Sequence, residues 1–138
     1  MFIRKKVEQL VKKYNTNDPF ELADKLHINI VFEPLGSIQG YYSRSHRTKV
    51  IHINDTLSPK KRLFTCSHEM GHAILHPNEN TSFLKSQTLF STDKLEQEAN
   101  LFALELLLSR EVFQPITVAE AKEEYGIPEQ LLHKNFYP

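Results

Sequence analysis

Hydrophobic residues open the chain at helical spacing: Phe2, Ile3, Val7, Leu10, Val11 and Tyr14, with lysines between them. This is the pattern of an amphipathic helix with one apolar stripe. Asp18-Pro19-Phe20-Glu21 then combines a cap residue, a proline at the first helical position and a glutamate three residues after the cap. That combination predicts a short second helix running to about Leu26. The period then changes. Ile28-Asn29-Ile30-Val31-Phe32 reads as a strand ended by Pro34 and Gly36, residues 38–43 as a second extended stretch, and Val50-Ile51-His52-Ile53 as a β-branched third. The polar turn at 44–47 makes a hairpin of the last two, so a small, mostly antiparallel sheet of about three strands is expected.

Ser58-Pro59 opens the next helix in the same cap-then-proline manner, and Pro77 closes it after His76. Phe64, Met70, Ala73, Ile74 and Leu75 give this helix a largely apolar body, which places it centrally and buried. Residues 77–92 are polar and have the length of a functional lid or a disordered loop. Ser91 or Thr92 caps a helix over about 93–108. Thr117, with Glu120 as its box partner, caps a shorter one that Gly126 ends, and Pro128 begins a last. Two helices, a small sheet and further helices make an α+β arrangement. One domain over 1–138 is expected: N-terminal helices and sheet to 57, two central helices over 58–108, and short C-terminal helices over 109–138.

Composition adds little beyond an ordinary globular protein, with 40% hydrophobic and 25% charged residues. Seventeen basic residues balance seventeen acidic ones, so no net pull toward nucleic acid or anionic lipid is expected. Residues 1–70 carry twelve Lys/Arg against seven Asp/Glu, and residues 71–138 five against ten, a split that reads as two differently solvated faces. Cys66 is the single cysteine, so no internal disulfide forms and a reducing compartment is expected. The N-terminal segment has no apolar core of a secretory signal, and no run reaches the length of a membrane span. These readings point to a cytoplasmic protein.

The chemistry lies in His68-Glu69-Met70-Gly71-His72, an HExxH string inside a predicted helix. Positions i and i+4 share a helix face, so two imidazoles there can each place a nitrogen about 2.0 Å from one Zn²⁺. Glu69 in such a motif serves as general base on the water the metal activates. Five such letters arise by chance in many proteins, where they are two histidines and a solvated carboxylate. Here the apolar body of the helix makes burying them uncoordinated costly. Gly71 removes a side chain where another segment can approach.

A catalytic zinc site needs a third protein ligand. Glu96, Ala99, Asn100 and Ala103 form one stripe of the 93–108 helix. The alanines allow close packing on the motif helix, Glu96 then reaches the metal, and Asn100 hydrogen-bonds a ligand histidine. Glu98 is rotated about 200° from Glu96 and is the reserve ligand. His76 lies about 12 Å along the helix from His68 and is read as a packing or helix-end residue. Cys66 faces away from the ligands as a small buried residue. His52, on a strand, is a minor candidate for the cleft. Tyr41 or Tyr42 could donate to an oxyanion, though core packing is the simpler use.

With these motifs in place, the sequence resembles the ImmA/IrrE family of zinc metallopeptidases. The resemblance spans about 18–135 and rests on Pro19-Phe20-Glu21-Leu22-Ala23, Gly40-Tyr41-Tyr42, the run from Arg62 through the HExxH string to His76, and the run from Glu96 to Leu107. It implies a gluzincin-like core with the HExxH helix central. His68, His72 and the glutamate of the E-x-E-A-N helix would be ligands, and Glu69 the base. It also implies an anti-repressor that cleaves a helix-turn-helix repressor of a phage or mobile element encoded nearby. Leu108-Ser109 stands where many members have Met-Pro, and the extra C-terminal domains of the longer stress-response members are not expected. Two other roles stay open. One is a zinc-stabilised module that displaces a repressor without cutting it, against which the intact Glu69 speaks; the other is a toxin-like peptidase paired with an antitoxin. Residues 119–136 faintly suggest helix-turn-helix, but Glu120, Glu123 and Glu124 oppose phosphate contact. No direct nucleic-acid or membrane binding is therefore expected.

Overall fold

The computed structural model describes residues 2–78, 94–108, 117–129 and 131–132. Helix α1 spans Phe2–Tyr14 and buries Ile3, Val7 and Val11 of the predicted stripe, with Leu10 and Tyr14 partly buried and Phe2 exposed. Helix α2 spans Pro19–Lys25, and the Asp18 carboxylate accepts from the Phe20 N–H. Glu21 does not close the box onto the cap. The Asp18 N–H donates to Thr16 Oγ1, and the Thr16 hydroxyl donates in turn to Glu21, so a threonine is interposed between cap and glutamate.

Strands β1 (Asn29–Glu33), β2 (Gly40–Ser45) and β3 (Thr48–Asn54) form a three-stranded sheet in the order β1-β3-β2. The hairpin β2–β3 is antiparallel, with Tyr42 opposite Ile51. β1 instead pairs parallel to β3, Ile30 beside Ile51, so the sheet is mixed. The cause lies in residues 34–39, which carry the chain past the end of β3 before β2 begins. Asn54 holds that crossing in place: its buried side-chain amide donates to the carbonyls of Gly36 and Ile38, both at 2.9 Å.

Helix α3 (Pro59–Leu75) starts at Ser58, whose hydroxyl accepts from Lys61 N, and ends at His76. It lies between two partners. On one side Cys66, Met70 and Ala73 join Tyr42, Ile51 and Ile53 of the sheet in the main core. On the other it packs along α4 (Lys94–Leu107). A second core gathers Phe64, Ala103, Leu104 and Leu107 with Ala121 of α5 (Val118–Glu123), Ile127 and Leu132. Thr117 and Glu120 cap α5 reciprocally, and Gly126 follows it at φ +72°. The α+β class and the central position of the HExxH helix agree with the pattern in the sequence. The loop expected over 77–92 beyond Asn78, its cap at Ser91 or Thr92 and most of the segment after Pro128 lie outside the described residues. No helix among the described residues is long and apolar enough to cross a membrane.

Candidate metal centre

The site is assembled by two helices held unusually close. A methyl at position 71 would meet Ala99 Cα at 3.0 Å, Phe102 Cβ at 3.1 Å and Ala99 O at 3.2 Å, so a glycine on α3 lets the backbone of α4 approach. His68 and His72 flank that contact on α3, and Glu96 lies one turn before Ala99 on α4. The approach therefore carries the Glu96 carboxylate between the two rings. Its Oε1 is 3.1 Å from His68 Nε2, and its Oε2 is 2.9 Å from His72 Nε2. Donors bound to one tetrahedral Zn²⁺ at about 2.0–2.1 Å lie about 3.3 Å apart, so the three side chains already stand close to coordination spacing. Among the described residues this is the one group of three whose ligand atoms all lie within 4.8 Å of one another.

Burial makes the arrangement costly without a ligand. His68, Glu69, His72 and Glu96 are 3%, 3%, 0% and 4% exposed. His72 Nε2 is near Glu96 but not aligned for a hydrogen bond, and Glu69 Oε1 has no hydrogen-bond partner either. Buried polar atoms left unpaired each cost about 1–3 kcal/mol, and a cation-binding site accounts for both at once. The donor set, two imidazoles and a carboxylate, suits a divalent transition metal such as zinc.

The electrostatics agree. Burial works to raise the Glu96 carboxyl, but its contacts with His68 and His72 hold it down to about 2. Burial works to lower His68, and the hydrogen bond to Glu96 and the charge of Glu69 outweigh it and raise its pKa, with Asn100 adding to the rise. His72 is lowered because burial prevails over the raising contact with Glu96, and the charges of His68 and His76 add to the fall. That direction favours the neutral ring, the form that has a lone pair to offer. Glu69 is pushed up to about 7 by burial; the charge of His68 pulls it down and that of Glu96 pushes it further up. A carboxyl poised near neutrality beside two histidines can take up and return a proton.

Glu98, the reserve ligand, is absent from the cluster. It accepts from His76 Nε2 at 2.8 Å, and His76 Nδ1 lies 3.1 Å from His72 Nδ1. His76 is thus more than a helix-end residue, and its signal in the sequence was the repeat of the i+4 spacing from His72. Asn100 is buried beside His68. Cys66 is fully buried in the main core, which pushes its thiol well up. His52 alternates with the buried Ile51 and Ile53 and so faces away from α3. There it joins Glu33 at 2.7 Å and Ser43 at 3.0 Å under the stacked ring of Tyr41, a network the spacing in the sequence does not reveal. The tyrosine hydroxyls are engaged elsewhere, Tyr41 with Glu33 and Tyr42 with the Pro77 carbonyl.

Residues 23–137 match the model of the IrrE N-terminal-like domain, a peptidase family. Immunity region protein 2 of Bacillus phage phi105 is 44% identical over 95% of this chain and 87% of its own length. Metallopeptidase ImmA of Bacillus subtilis is 36% identical over 78% of this chain and 63% of its own length. Radiation response metalloprotease IrrE of Deinococcus deserti is 32% identical over 64% of this chain, and the match spans 32% of that longer protein.

Proposed function

The chain belongs to the family of the IrrE N-terminal-like domain, and on that premise we propose that it is a zinc-dependent metallo-endopeptidase that cleaves a helix-turn-helix repressor of a phage or mobile element. One observation carries the chemical part: two histidines and a glutamate converge in a buried pocket beside a second glutamate that has an unpaired oxygen. The regulatory part leans on the relatives, one named as a phage immunity region protein and one as a metallopeptidase.

His68, His72 and Glu96 would hold the metal. When bound, the metal supplies a Lewis acid that polarises the scissile carbonyl and acidifies a water. Glu69 would accept a proton from the attacking water and return it to the leaving nitrogen. Glu69 is buried and its Oε1 has no hydrogen-bond partner, which leaves that oxygen free to receive the proton. Asn100 steadies His68, one turn along α4 from Glu96.

Co-expression of the neighbouring repressor with wild type and with Glu69→Gln, read by intact mass, tests this reading. Two fragments with wild type alone are expected, and their masses locate the cut. A repressor left whole by a zinc-loaded wild type would remove it as the substrate, and cleavage by Glu69→Gln would remove Glu69 as the base.

A further inference from the structure

The pocket's histidines do not end at the metal-facing atoms. His72 turns its Nε2 toward Glu96 and its Nδ1 toward His76, whose own Nδ1 is 3.1 Å away. His76 turns its Nε2 outward to Glu98 Oε1 at 2.8 Å. Three side chains therefore run in file from a carboxylate at the pocket's margin to a fully buried imidazole. Their side-chain exposures fall along the file, 32% for Glu98, 6% for His76 and 0% for His72.

Hydrogen-bond logic fixes the protons in this file. An ionised carboxylate only accepts, so His76 Nε2 must carry the N–H that faces Glu98. A neutral His76 then has a bare Nδ1, which can only accept. The facing atom of His72 must supply the proton, and the proton on Nδ1 leaves its Nε2 with a lone pair. That lone pair is the one directed into the pocket. Of the tautomer pairs open to two neutral rings, this one alone sets a donor against an acceptor at both contacts.

Two anchors hold the file in place. His76 is the cap residue of α3, its backbone N–H bonded to His72 O at 2.8 Å, so its ring lies one turn beyond His72. The next residue, Pro77, has its carbonyl held by the buried Tyr42 of β2 at 2.9 Å. The sheet thereby fixes the turn that carries His76.

We propose that Glu98 and His76 are positioning residues, which set the tautomer and the ring orientation of His72 so that its Nε2 is presented to the metal. This rests on the metal-site reading above. Neither residue belongs to the group His68, His72 and Glu96; both act through His72, in the way that supporting partners of metal-bound histidines govern affinity by about 10–100-fold.

The test is zinc affinity of the full chain by competition with a chromophoric chelator, for wild type, His76→Phe, His76→Asn and Glu98→Ala. Circular dichroism of each metal-free variant establishes that it is folded. An asparagine places its Oδ1 where histidine has Nδ1, so it keeps the acceptor for His72 and loses only the link to Glu98. Affinity is expected to fall about 10–100-fold in His76→Phe and by less in Glu98→Ala, with His76→Asn recovering most of the loss. Long-range ¹⁵N–¹H correlation on the zinc-loaded wild type should show His76 with its proton on Nε2. Wild-type affinity in His76→Phe, an His76→Asn as weak as His76→Phe, or His76 protonated on Nδ1 would each overturn the relay. A wild type that binds no zinc would overturn the metal-site reading itself, a result that cannot be mistaken for the other three.

Discussion

Two clusters in this protein pair histidine with carboxylate, and they differ in what they leave unpaired. On the outer face of the sheet, His52 has Glu33 on one ring nitrogen and Ser43 on the other, with Tyr41 stacked at 4.1 Å. Its side chain and that of Glu33 are 17% and 34% exposed, so water reaches both. Nothing in that cluster calls for a ligand. Between α3 and α4, His68, His72 and Glu96 are shut away from water, and His72 Nε2 and Glu69 Oε1 lack hydrogen-bond partners. The same residue types are thus a satisfied surface network in one place and an unsatisfied buried pocket in the other. Burial with vacant lone pairs, more than the presence of histidine, is what marks a metal site.

The largest effect should separate the clusters outright. His72→Ala or Glu96→Ala would remove a proposed ligand, and zinc affinity is expected to fall by more than the ~10–100-fold that loss of a supporting partner costs. His52→Ala should leave zinc affinity at the wild-type value. Chelator competition measures both. Equal affinities in Glu96→Ala and wild type would remove Glu96 from the ligand set.

An intermediate effect concerns the cost of burial. The Glu69 carboxyl is raised from 4.5 to about 7, so between those values the folded protein holds a proton that the unfolded chain has released. Stability of the metal-free protein should therefore fall as pH rises from about 4.5 to 7, with the full cost present above that. Glu69→Gln abolishes the ionisation. At pH 8 the metal-free variant is expected to be more stable than wild type by up to about 3 kcal/mol, the advantage vanishing below about pH 4.5. Urea denaturation across that range reads it, and a difference independent of pH would contradict the assignment.

The smallest effect belongs to the outer cluster. Ser43→Ala removes one half-exposed hydrogen bond and should cost about 1 kcal/mol or less by the same denaturation. A loss of several kcal/mol there would erase the distinction between the two regions.

What could be read in the sequence follows the range over which each feature is decided. Asp18-Pro19, Ser58-Pro59 and Thr117 with Glu120 mark helix starts because capping is settled within a few residues. The pocket was legible for a similar reason: the i+4 spacing of His68 and His72, and the stripe from Glu96 to Ala103, follow from helix geometry alone. The direction of β1 was not, since it depends on where residues 34–39 cross and on the amide of Asn54 that fastens them. The link from His76 to Glu98, and that from Ser43 through His52 to Glu33, join side chains on separate elements. Helix period cannot pair such residues; only the register between elements does.

The contact of Gly71 with Ala99 bears on which ion the pocket would accept. It acts as a spacer of fixed thickness, setting how far the carboxylate of one helix stands from the imidazoles of the other. A narrow gap of this kind suits bonds of about 2.0–2.1 Å, whereas calcium wants six to eight oxygens at about 2.3–2.6 Å. On the metal-site reading, discrimination between ions would be lodged partly in an apolar contact with no charge of its own, where one added methyl would change the gap between the helices.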